Sequence, residues 1–222
     1  MRRTGPVAIL LLGLLPGLLA HDRITTSITW NREISRIVYD RCASCHNEKG
    51  SAFPLMTYAE ARPWAVAIKE EVLSRRMPPW GGVKGFGEFR NDQGLTQEQL
   101  ELITGWVEGG VPEGKPKDLP PKPKLSKPAA IKTSRNQLVL NGDITLIKPF
   151  KLDGLLPDVV PKGVRLRIVA HLPDGSVEPL LWLYEYKAEY RHAFLLRKPL
   201  TLPAGTIIRG VPPGATLILL PA

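Results

Sequence analysis

The chain has 222 residues, 43% of them hydrophobic and 23% charged, which is ordinary for a globular protein and long enough to bury a core as one large domain or two small ones. The formal charge is +9, and +7 once Arg2 and Arg3 are removed. Much of the excess lies in "EGKPKDLPPKPKLSKPAAIKTSR", which has no interleaved aromatic residues and so reads as a solvated, proline-stiffened segment rather than a nucleic-acid site.

"MRRTGPVAILLLGLLPGLLA" runs from two arginines through an apolar stretch to a small residue, the layout of a secretory signal over residues 1–20, with cleavage after Ala20. The apolar part is short for a membrane span and is interrupted by Gly13, Pro16 and Gly17. The expectation is a protein outside the cytoplasm, periplasmic or secreted, with no membrane span after cleavage.

Next, "NREISRIVYDRC" places Ile34, Ile37 and Val38 at helical spacing with Asn31 as cap. "TYAE" has capping-box spacing and opens a second helix reaching about Arg75. "MPPWGGVKGFGEFRNDQGL" is a long ordered loop, and "TQEQLELITGWVEGG" a third helix from a Thr96/Gln99 box to Gly109 and Gly110. These helices define a first domain over 21–112, followed by the basic linker, 113–133.

Beyond the linker the period changes. "VRLRIVAH", "PLLWLYEY", "YRHAFLLRK", "GTIIRGV" and "ATLILLP" read as strands between proline or glycine turns. Residues 134–222 are expected to form a small β-sandwich or barrel. The expected fold is thus an all-α domain followed by a small all-β domain.

Both cysteines of the chain lie in "CASCH", where Cys42, Cys45 and His46 have the spacing by which a c-type haem is attached. Each thiol would bond one haem vinyl group and His46 would bind the iron. One turn of helix separates the thiols, so both reach the same edge of the macrocycle. Three other readings compete. A redox dithiol normally opens a helix after a strand, a zinc site needs further ligands, and a disulfide leaves His46 without a role.

For the other face of the iron, Met77 leads, because Pro78 and Pro79 force the chain out of helix and hold the thioether in place. Met56 is the rival, close to His46 and just before the Thr57 cap. Trp80, Phe86 and Phe89 are expected to wall the haem, and Trp106 to pack the third helix on the first. Arg75, Arg76 and Arg90 are candidates for the propionates. His171 and His192 read as ordinary polar residues of the strand region.

Residues 32–120, with "CASCHNEKGSAFPLMTYAEARPWAVAIKEEVLSRRMPPW" and "FRNDQGLTQEQLELITGWVEGGVPEG", resemble a bacterial family of exported single-haem cytochrome c domains. The resemblance implies an all-α cytochrome c-like domain with one covalent haem c, attached through Cys42, Cys45 and His46, with Met77 as sixth ligand. "LPDGSVEPLLWLYEYKAEYRHAFLLRKPLTLPAGT" is similar to part of copper type II, ascorbate-dependent monooxygenases, but it lacks their histidine and methionine set and reads as a copper-free remnant for docking or positioning. The expected function is one-electron transfer with a redox protein partner, an acidic one if the basic linker guides docking. The alternative is an electron-feeding subunit or domain of a copper monooxygenase-like or other periplasmic oxidoreductase.

Overall fold

The computed structural model describes residues 26–125 and 136–222. The expected signal segment with its cleavage point, and the end of the linker, lie outside the described residues. Among the described residues no helix is long and apolar enough to cross a membrane.

The first helical segment opens two residues earlier than the sequence suggests. Thr29 is its cap: its hydroxyl accepts from the Arg32 amide at 3.3 Å, and the Glu33 carboxylate accepts from the Thr29 amide at 2.9 Å. Asn31 is instead buried, its side chain donating to the Gly114 carbonyl at 3.3 Å. A π-helical turn, Trp30–Ile34, leads into α1, Ser35–Arg41. The expected second helix is broken into α2, Tyr58–Ala61, a 3-10 turn, Arg62–Trp64, and α3, Ala65–Leu73. Pro63 sits in that 3-10 turn, where it has no N–H to donate to an α-helical ladder. Helix α4, Gln97–Glu108, carries the full reciprocal box, Thr96 with Gln99, and ends at Gly109 as expected. Trp30, Ile34, Val38, Leu55, Ile103 and Trp106 lie at the centre of this part's core.

The start of the linker is not solvated throughout. The Trp30 and Asn31 amides donate to the Pro112 and Glu113 carbonyls at 3.0 and 2.8 Å, and a 3-10 turn follows at Pro116–Asp118.

The remaining chain forms two four-stranded antiparallel sheets. One contains β1 (Leu138–Leu140), β8 (Thr216–Pro221), β3 (Phe150–Val159) and β6 (Phe194–Leu202) in that order. The other contains β2 (Ile144–Thr145), β7 (Ile207–Arg209), β4 (Leu166–His171) and β5 (Val177–Leu183). Their facing sides enclose Leu140, Leu152, Leu155, Leu166, Ile168 and Leu217, all at 0% exposure. The opposite face of the first sheet is also buried, at Leu156, Ile218 and Leu220, so β8 reads as a continuous apolar run.

Strands β5 and β6 are the outer strands of the two sheets on the same side of the sandwich, and the loop after α3 covers both. Val83 donates to the Trp182 carbonyl at 2.8 Å and Tyr184 to the Gly81 carbonyl at 2.9 Å. Farther along, Arg197 donates to the Glu88 carbonyl at 2.8 Å and Arg90 to the Leu195 carbonyl at 2.9 Å. The loop thus pairs with one sheet at Gly82 and with the other at Phe89, capping edges that would otherwise offer unpaired backbone groups. At the two ends of this paired stretch, Trp80 and Phe89 sink into the sandwich core.

This overturns the expected fold class. Among the described residues helix accounts for 25% and strand for 27%, with no large all-α domain. The molecule is mixed α and β. The helices of the first part are short and interrupted, and its longest loop contributes two aromatic side chains to the core of the sheets instead of enclosing a helical core of its own.

Candidate haem attachment site

Cys42 caps the C-terminal end of α1. The chain makes one further turn, in which the Cys45 and His46 amides donate to the Cys42 carbonyl at 3.1 and 2.9 Å. Cys45 therefore stands one turn after Cys42, with His46 directly behind it. The turn is then locked from outside. The Asn47 side chain donates to the Ala43 carbonyl at 2.7 Å, and the Ala52 and Leu55 amides donate to the Cys45 and His46 carbonyls at 3.1 and 3.2 Å. A Cβ at Gly50 would lie 2.0 Å from the Cys45 carbonyl oxygen, so this close return of the chain admits only glycine.

His46 is oriented by its own loop. Its Nδ1 lies 2.9 Å from the Phe53 carbonyl. A carbonyl oxygen only accepts, so Nδ1 carries the proton and Nε2 keeps its lone pair for an acceptor role or a metal. The Phe53 ring stands edge-on to His46 at 5.0 Å between centroids and packs on Trp64 at 4.6 Å. Phe53 and Trp64 are each 46% exposed, an aromatic surface left open beside the histidine.

Both thiols are free. Burial pushes the Cys42 thiol up to about 12, with neighbouring Cys45 adding to the shift. A redox dithiol needs the reverse, a lowered thiol pKa that supplies thiolate near neutral pH. Among the described residues no three His, Cys, Asp or Glu side chains gather as a metal-holding group.

Comparison of the chain with protein-family models, curated proteins and solved structures found no match. What the turn can do follows from its own residues. Two free thiols one turn apart, a histidine with an oriented ring and an available Nε2, and an open aromatic surface beside it suit a flat apolar macrocycle carrying two thiol-reactive groups and a metal.

Met77 lies half-buried where the long loop leaves α3, its amide donating to the Glu71 carbonyl at 3.2 Å. Its rival Met56 is a core residue, 8% exposed, whose carbonyl accepts from the Tyr39 hydroxyl at 3.2 Å. The loop carrying Met77 returns to the cysteine turn at its far end, where the Arg41 guanidinium, next to Cys42, donates to the Asp92 carbonyl.

The other expectations divide. Trp106 packs on Trp30 of the first helical segment at 6.0 Å, as expected. Trp80 and Phe89 wall the sandwich core and not the cysteine turn, because the loop pairs with the sheets. Phe86 lies against Trp182 at 5.8 Å and beneath the Arg167 guanidinium. Arg76 is held by Glu71 at 2.9 and 2.7 Å, and Arg90 by Asp153 at 2.8 and 2.7 Å, which leaves Arg75 as the propionate candidate with no ion pair among the described residues. His192 lies in the strand region as expected but is more than an ordinary polar residue there. It stacks on Trp80 at 4.9 Å, its Nδ1 donates to the Tyr190 carbonyl at 2.8 Å, and burial lowers its pKa.

Sequence reasoning missed Phe53 and Trp64. Periodicity gives no sign of them, since each matters through the ring it touches. The signal available was chemical: Phe53 in the short stretch between the motif and the Thr57 cap, and Trp64 beside Pro63 within the expected second helix.

Proposed function

We propose that this chain is an exported c-type cytochrome that carries single electrons. Cys42 and Cys45 would tether one haem c through two thioethers, His46 Nε2 would ligate the iron, and Met77 would supply a second ligand. Bound there, the haem supplies one-electron iron chemistry, and a thioether ligand raises its potential. The chain's own residues do the rest. The Phe53 carbonyl fixes the His46 tautomer and ring plane, and a hydrogen bond from Nδ1 also makes the imidazole a better donor at Nε2. Phe53 and Trp64, both half-exposed, would give the haem apolar cover.

The observation that carries this reading is the bond from His46 Nδ1 to the Phe53 carbonyl, on a turn that also presents two free thiols. The proposed setting is the periplasm or the exterior of a bacterial cell, since the first twenty residues read as an export signal. The charge of +7 that remains once Arg2 and Arg3 are removed favours an acidic redox partner. The second reading, an electron-feeding part of a copper monooxygenase-like or other periplasmic oxidoreductase, rests on the sandwich attached to the site and predicts stoichiometric copper beside iron.

The test is acid-acetone extraction of the purified exported protein and of its Cys42→Ser, Cys45→Ser variant. Haem should stay with the wild-type chain and leave the variant. Equal retention by both would sink the proposal, and metal analysis showing one copper per chain would move it to the second reading.

A further inference from the structure

The loop that begins at Met77 is tied at more points to the β-sandwich than to the helices from which it emerges. Trp80 is 4% exposed, stacked on His192 and packed against Phe89 and Phe194 at 5.9 and 4.5 Å. Asn91 serves as an extra rung on β6, its side chain donating to the Ala193 carbonyl at 2.7 Å and accepting from the Leu195 amide at 3.0 Å. Arg90 forks onto Asp153 of β3 and also donates to the Leu196 carbonyl at 2.7 Å. Only Pro78 and Pro79 separate Met77 from the buried Trp80. Two prolines make a stiff lever with fixed φ, so a shift of the Trp80 anchor moves Met77 with it.

We infer that the β-sandwich is the seat of the methionine ligand: by clamping the strap from Trp80 to Asn91 along both of its sheet edges, it holds Met77 in place for the iron. Asn91, Arg90 and Asp153 are then positioning residues, acting on the iron through Met77 and not by contact. The inference rests on the haem reading above and gives the sandwich a role that needs no copper. A loop joined only to short helices would fluctuate with them, whereas a strap paired to two sheets shares the stability of their backbone ladders. Asp92, next along the strap, accepts from Arg41 and thereby ties the same element to the cysteine turn.

The experiment compares the wild-type holoprotein with Asn91→Ala, Asp153→Asn and, as a control on the remote strand β1, Val139→Thr. Three readouts are taken: covalent haem content, the near-infrared sulfur-to-iron band of the ferric state, and the rate at which the ferrous state binds carbon monoxide. Asn91→Ala should keep its covalent haem, lose the sulfur-to-iron band and bind carbon monoxide about tenfold faster or more. Asp153→Asn, at a half-exposed pair and expected to fold whatever Asn91→Ala does, should shift both readouts in the same direction by about twofold. Val139→Thr should leave them at wild-type values. Wild-type protein without covalent haem, or without a band that Met77→Ala removes, would break the haem reading itself. A wild type with that band, and folded Asn91→Ala and Asp153→Asn proteins that match it in band and rate, would overturn the inference alone.

Discussion

The two parts of the molecule are finished in different ways. The sandwich has paired strands, buried leucines on both faces of one sheet, and open edges capped by a loop from outside its own sequence. The helical part has short, interrupted helices and leaves Phe53, Trp64, Val66 and Leu73 between 46% and 59% exposed. Val66 and Leu73 are seven residues apart on α3, so they share a face that turns away from buried Ala65 and Val72. A helix with apolar residues on two sides has one side too many for a single core. The sandwich, too, leaves Val139, Ile147, Val159 and Val177 exposed, so what sets the helical part apart is the pair Phe53 and Trp64 packed together beside His46, the surface that haem would cover under the proposal above.

The largest expected effect breaks the molecule along that line. In Cys42→Ser, Cys45→Ser protein, which cannot tether haem, amides of α1 and the 42–55 turn should lose most of their hydrogen-exchange protection while β3, β6 and β8 keep theirs. Equal protection in both forms would mean that the helical part needs no cofactor to close.

Trp80 gives the next test, since its place in the chain and its place in the core disagree. Trp80→Ala should destabilise the sandwich by about 3–5 kcal/mol, measured by denaturant unfolding of the sheet signal. An unmoved sheet transition would return Trp80 to the helical part, where the sequence alone puts it.

That disagreement marks the limit of what the sequence made legible. Helix α4 was readable because its signals are local: a capping box at one end, a glycine at the other and a stripe between. The strands from β4 to β8 were readable from short apolar runs between turns. Strand β3 was not, because Asp153, Gly154 and Pro157 interrupt its pattern and register shifts absorb them. The break at Pro63 was also hidden, since proline in a first turn is compatible with a continuous helix. In the site, Cys42, Cys45 and His46 were explicit as a motif. The Phe53 carbonyl that orients His46 was invisible, because a backbone acceptor has no residue type. The capping loop was legible as ordered, but its pairing with two sheet edges depends on contacts more than 90 residues away.

A smaller effect concerns the helical part alone. Thr96→Ala removes the hydroxyl that accepts from the Gln99 amide at 3.1 Å and should cost about 1 kcal/mol of stability. Thr96→Asn should restore most of it, and a null effect of Thr96→Ala would show that α4 is held by packing alone.

The smallest effect probes the clamp through pH. Burial holds the His192 pKa below the ordinary histidine value, so the unfolded chain takes up that proton first as the pH falls. The contribution of neutral His192 is therefore full above about pH 6.5 and declines as the pH drops from there toward the lower folded value. Thermal unfolding between pH 7.5 and 5 should show a decline that His192→Phe flattens. An identical slope in the variant would remove His192 from the account.

The claim beneath all of these is that "CASCH" holds haem covalently. The most direct measurement is the reduced absorption spectrum of the alkaline pyridine derivative of the purified exported protein, taken with the mass of the peptide that spans Cys42 to His46. Two thioether links should give the spectrum of a c-type derivative and a peptide that carries the haem mass through digestion. A spectrum without haem, or haem that separates from an unmodified peptide, would contradict the account.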